Sequence, residues 1–174
     1  MNLRRNLFYL PLALLTALAH NATHEMVHYL AARLLGEEVL ELRFLTNGWG
    51  TSQVVYATPV AERSGAHWLV IAWAPALVTV LIGYALYLNR RRWMSHWPLV
   101  NAGLWYAGLF FLCLDPFYLA VLSLFIGSDV DAVAAVGGSP WPIRLAALGV
   151  LVVNARLMFR WRREARAHPE RYTP

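Results

Sequence analysis

"AHNATHEMVHYLAARLLG", residues 19–36, sets three histidines, His20, His24 and His28, at every fourth position, with Glu25 between the last two. Side chains four apart stack on one face of a helix. The segment therefore predicts a helix with an ionisable stripe. Around it runs an apolar stretch from about Leu7 to Leu35, longer than the ~20 residues that cross a bilayer. Ionisable groups in such a helix are costly unless they are paired, hydrated or bound to a metal.

Three more apolar stretches follow, over about Ala66–Leu88, Pro98–Ile126 and Trp141–Phe159. Hydrophobic residues make up 59% of the 174-residue chain and charged ones 14%. A soluble domain of that composition would expose large apolar patches. The expected fold class is an all-α, polytopic membrane protein. It forms one domain with about four transmembrane helices.

The net charge of +5 comes from arginine alone, as the chain has no lysine. Arg4 and Arg5 precede the first stretch, Arg90 to Arg92 follow the second, and Arg160, Arg162 and Arg163 follow the fourth. Clusters beside apolar runs mark membrane orientation and argue against nucleic acid as a partner. By the positive-inside rule both termini are cytoplasmic. The expected location is a multi-pass position in a bacterial cell membrane, and the charged end, residues 160–174, is expected as a partly frayed cytoplasmic tail. The opening "MNLRRN", an apolar run and "ALA" before His20 also fit a cleavable secretory signal ending at Ala19. Cys113 lies in an apolar run, so an intrachain disulfide and cysteine-based zinc sites are excluded.

Between the first two stretches, "EVLELRFLTNGWGTSQVVYATP" changes character. Val39, Leu40, Leu42, Phe44, Val54, Val55 and Tyr56 favour strands, and Asn47-Gly48 is a turn signal. A membrane-associated β-hairpin over about 39–58 is predicted, with its strand edges near the interface.

His24-Glu25-Met26-Val27-His28 is an H-E-x-x-H sequence. On a helix both imidazoles reach one ion, and Glu25 beside them can accept a proton from a water that zinc makes acidic near pH 7. Two ligands and a base are thereby supplied, but no third ligand. His20, a turn earlier, diverges too far for easy tetrahedral geometry and is expected as a supporting or interfacial residue. The acidic residues in or beside the remaining apolar runs are Asp115, Asp129 and Asp131. His24 lies 17 residues past Leu7 and Asp115 lies 17 past Pro98, so both reach the same depth, ~26 Å along their helices. Depth thus favours Asp115. Asp129 requires the chain to fold back, for instance where Asp115-Pro116 breaks the third helix. Alternatively, Asp115 caps a helix started by Pro116.

With these motifs the chain resembles the site-2 protease-like intramembrane zinc metalloproteases, as a divergent, compact member. The H-E-x-x-H helix followed by "YLAARLLGEEVLELRF" looks like that family's first core helix and hairpin. "AWAPALVTVLIGYALYL" (72–88) is similar to its second core helix, which often opens with Ala-Gly-Pro. "LDPFYLAVLSLFIGSDVDAV" (114–133) takes the place of its Asn-x-x-Pro…Leu-Asp-Gly motif. The likeness covers about residues 7–133 and implies a three-helix metalloprotease core. It also implies Zn²⁺ held by His24, His28 and Asp129, Glu25 as catalytic acid/base, and a membrane protein or peptide as substrate. Two departures weigh against Asp129: Val130 stands where the motif has glycine, and Asp115 stands near the asparagine position. A third concerns orientation, because the arginines put the cluster nearer the outer face and well-known members carry zinc nearer the cytosol. The rival reading is a non-catalytic multi-pass protein, either a scaffold or a metal-handling protein using His20, His24 and His28. The retained Glu25 speaks against a scaffold.

Overall fold

In a computed structural model, residues 9–46, 51–126, 129–135 and 138–167 are described. The first helix, α1, spans Leu10–Leu34 and carries the histidine stripe without interruption through Ala19. Pro11 opens it, where a missing amide hydrogen costs nothing. It closes on Gly36 at φ +83°, with the Gly36 amide donating to Arg33 O and the Glu37 amide to Ala32 O. That pair of bonds satisfies the last helical carbonyls and turns the chain into the sheet.

Strands β1 (Val39–Thr46) and β2 (Thr51–Tyr56) pair antiparallel, with Val39 opposite Tyr56 and Leu42 opposite Val54. The expected hairpin is present, and its Asn47-Gly48 turn lies outside the described residues. A short 3₁₀ turn at Val60–Glu62 leads to α2, Ala66–Trp93. Next come α3 (Pro98–Ala120), a 3₁₀ turn at Leu122–Leu124, the short α4 (Asp131–Ala135) and α5 (Trp141–Ala167).

Helices α1, α2 and α3 pack against one another, the hairpin lies on α1, and α5 packs on α3. Among the described residues, three helices are long and apolar enough to cross a membrane: α2, α3 with its 3₁₀ extension, and α5 up to Ala165. The 25-residue α1 is not among them, because its polar stripe lowers its hydropathy.

One expectation needs correction. Asp115-Pro116 neither breaks the third helix nor caps a new one, since α3 continues through Pro116 to Ala120 and Asp115 lies inside it. The chain folds back only at the following 3₁₀ turn. There Ser123 Oγ bonds Leu119 O, and the Arg144 guanidinium of α5 donates to Ser123 Oγ and O at 3.0 and 2.9 Å. The charged end is helical up to Ala167, and residues 168–174 lie outside the described residues. Glu164 accepts from Arg90 of α2 at 2.8 Å and from Arg160 one turn earlier at 3.3 Å, which extends the helix past its apolar part.

Each proline inside a core helix frees a carbonyl four residues earlier, because it has no amide hydrogen to give. Pro116 frees Leu112 O, and Asn154 of α5 donates its side-chain amide to it. Asn154 is wholly buried and accepts from Tyr84 of α2 at 2.7 Å, so one amide ties α5 to both α2 and α3. Pro75, inside α2, does the same for Ile71 O.

Candidate metal centre

His20, His24, Glu25 and His28 are buried on the face of α1 turned to α2 and α3. The freed Ile71 carbonyl lies 2.9 Å from His28 Nδ1. A carbonyl only accepts, so Nδ1 carries the proton and the Nε2 lone pair of His28 faces away from α2. His24 is fixed in the same sense by a different partner. Its Nδ1 lies 3.1 Å from each oxygen of Asp115, and a carboxylate only accepts, so Nδ1 carries a proton there and Nε2 is the nitrogen turned toward Asp129.

Both Nε2 atoms meet Asp129. Its two carboxylate oxygens lie 3.5 Å from His24 Nε2 and 3.4 Å from His28 Nε2. The ligand atoms of His24, His28 and Asp129 all fall within 4.8 Å of one another. Around a tetrahedral zinc with bonds of ~2.0–2.1 Å, neighbouring ligand atoms are about 3.3–3.4 Å apart. The two histidine–carboxylate separations, each to a different oxygen of Asp129, are close to that spacing, and the donor set of two imidazoles and a carboxylate suits zinc.

The sequence left Asp115 and Asp129 as alternatives. Both reach His24, from opposite ring nitrogens. Asp129 faces the shared Nε2 side, and Asp115 faces Nδ1, behind the cluster. Asp115 is itself closely surrounded: the fully buried Thr79 hydroxyl of α2 donates to its Oδ2, and His20 Nε2 approaches that same oxygen at 3.4 Å. His20 is neither interfacial nor at the metal side of His24. It is buried, its ring edge-on to Phe111 at 5.1 Å, and it reaches the cluster through Asp115. Asp131 starts α4 outside the three-ligand group. His67 is taken by Glu37 at 2.8 Å and His96 lies beside Trp97.

Glu25 follows His24 directly, is 8% exposed, and makes no hydrogen bond to another described residue. Its carboxylate is within electrostatic reach of His28, His24 and Asp129. A cleft of about 280 Å³ opens on the cluster, lined by His28 and Asp129 together with Tyr56, Arg63, Trp68 and Asp131 among others. Sequence reasoning missed Thr79, the Ile71 carbonyl and Arg63. Only Pro75 within an apolar span signalled that a backbone acceptor would be free there. Comparison of the chain with protein-family models, curated proteins and solved structures gives no significant match.

Proposed function

We propose that this chain is an intramembrane zinc-dependent endopeptidase of the site-2 protease-like kind, cutting a peptide bond in or near a substrate's transmembrane segment. One observation carries the reading. Two imidazole Nε2 atoms each lie 3.4–3.5 Å from an oxygen of the Asp129 carboxylate, the three ligand atoms fall within 4.8 Å of one another, and Glu25 is buried at the adjacent position. A scaffold has no use for a free carboxylate there, and burying one is costly.

In this reading His24 and His28 hold Zn²⁺ through Nε2, and Asp129 completes the protein's share of the coordination sphere. The ion supplies Lewis acidity, polarising the scissile carbonyl and making water acidic near neutral pH. Glu25 takes a proton from the attacking water and returns it to the leaving amine. Asp115 and Ile71 O keep the two imidazoles in the tautomer that the metal needs. Among the described residues the two strands pair only with each other, and the outer edge this leaves on each can hold an unwound substrate segment by strand addition near the cluster. In the same proposal α1 is the fourth span and the arginine clusters keep both termini cytoplasmic.

The test is Glu25→Gln beside His24→Ala in detergent-purified protein. Glu25→Gln should keep zinc equimolar with protein and lose all cleavage of a transmembrane reporter peptide, whereas His24→Ala should lose the zinc. Cleavage by Glu25→Gln would refute the assigned base. Zinc retained by His24→Ala would refute the site and favour a metal-handling or scaffold protein.

A further inference from the structure

Arg63 is the cation of the cleft that opens on the cluster. Its Nε donates to Thr58 O at 3.2 Å. Its guanidinium lies 4.7 Å from the Tyr56 ring centroid and 4.8 Å from that of Trp68, in the corner where those rings meet edge to face. These two cation–π contacts seat the fork and join the end of β2 to the start of α2. No carboxylate forms a salt bridge with it among the described residues. The nearest acidic influence, Glu37, already accepts from His67 at 2.8 Å and from Thr58 at 3.0 Å. Burial pulls the guanidinium below its ordinary range, and Tyr56 and Glu37 only partly offset this. A half-buried cation with unclaimed terminal N–H groups gains from any anion placed against it.

The cleft is also polarised. Arg63 and Tyr56 enter from the hairpin side, and Asp129 and Asp131 enter from the loop and first turn at α4. An anionic group is therefore drawn to the hairpin end and repelled from the α4 end. The Tyr56 phenol, pushed up by burial and by Asp129 and Glu25 against the pull of Arg63, stays protonated as a second donor at that end.

We propose that Arg63, held between Tyr56 and Trp68, is a carboxylate-recognition subsite. It selects peptides carrying an acidic side chain, or their own C-terminal carboxylate, at a fixed distance from the bond presented to His28 and Asp129. The proposal rests on the peptidase reading for the meaning of that bond, but the subsite itself requires only binding. It adds a sequence requirement beyond an apolar, unwound segment. Arg63 is a specificity residue, outside the metal cluster.

The experiment uses full-length Glu25→Gln protein and apolar peptides of ~20 residues in detergent micelles. The peptides are matched in sequence and scanned with Glu against Gln at one position at a time. Each is made with a free and an amidated C-terminus. At one register the carboxylate member should bind about tenfold tighter than its amide twin. Arg63→Gln should erase that ratio and Arg63→Lys should keep part of it. Because the ratio is taken within one protein, general loosening of the hairpin by the substitution cancels. A preference that follows Glu identifies a side chain as the source, and one that follows the free end identifies the C-terminus. Equal binding of acid and amide throughout, or an acid preference that survives Arg63→Gln, overturns the subsite. Wild-type protein that binds acidic peptides and cuts none overturns the peptidase reading alone. Glu25-dependent cutting without acid preference overturns the subsite alone.

Discussion

His28 Nδ1 donates to Ile71 O at 2.9 Å because Pro75, four residues on, has no amide hydrogen to occupy that carbonyl. The proline thus links α2 to the orientation of a proposed metal ligand on α1. Pro75→Ala restores the competing amide and removes a residue that costs ~3 kcal/mol in a helix interior relative to alanine. The variant should be at least as stable as the parent, yet bind zinc about 10–100-fold more weakly, the range typical for loss of a partner that orients a ligand. Thermal unfolding and zinc titration against a competing chelator read the two effects separately. Unchanged zinc affinity would show that His28 needs no such fixing.

Asp115 and Asp129 flank the same imidazole, so substitution separates the proposed ligand from the residue proposed to orient His24. Asp129→Ala should abolish equimolar zinc binding. Asp115→Asn keeps an oxygen that can accept from His24 Nδ1 but loses the charge that favours the Nδ1–H tautomer. It should retain zinc with affinity lowered about tenfold or more. Metal content after gel filtration, measured on both variants, decides the assignment. The opposite pattern would make Asp115 the ligand.

The H-E-x-x-H cluster was legible because its geometry is local: helical spacing alone brings His24 and His28 to one face. The sequence also put Asp115 at the depth of His24, but the nitrogen it meets depends on the rotation of α3 about its axis. Asp129 comes back to the cluster through a fold-back at residues 121–126, which no periodicity announces. Pro116 was the natural place to expect that turn, yet α3 absorbs it, because Asn154 from a distant helix satisfies the carbonyl that it frees. Hydropathy outlined four stretches, and among the described residues three helices are long and apolar enough to cross a membrane. The polar stripe that makes α1 chemically informative also weakens its hydropathy.

Asn154 offers a stability prediction away from the chemistry. Asn154→Leu strands both Leu112 O and the Tyr84 hydroxyl in an apolar interface. Interhelical hydrogen bonds in membranes average ~0.6 kcal/mol, and an unsatisfied buried group costs ~1–3 kcal/mol. A loss of about 1–2 kcal/mol is expected, with faster proteolysis between α3 and α5 and an unchanged zinc content. Loss of zinc together with stability would mean that α5 holds the metal centre in shape.

The spacing of α2 and α3 connects packing to the cluster most directly. At Gly83 an added Cβ would lie 2.8 Å from the Leu112 backbone nitrogen and equally close to the Phe111 carbonyl carbon. Real Cβ atoms do not approach backbone so closely, so Gly83→Ala must push the two helices apart. Four residues earlier on α2, Thr79 donates to Asp115, and Asp115 in turn holds His24. Separation at Gly83 should therefore lengthen the Thr79–Asp115 contact and release the His24 ring. Overpacking of this kind costs about 1–3 kcal/mol. The expected outcome is a lower unfolding temperature with weaker zinc binding. Thr79→Val, which removes the donor and keeps the shape, should weaken zinc binding with a smaller loss of stability. If Gly83→Ala destabilised the protein but left zinc affinity at the parent value, the route from helix spacing through Thr79 and Asp115 to His24 would be refuted.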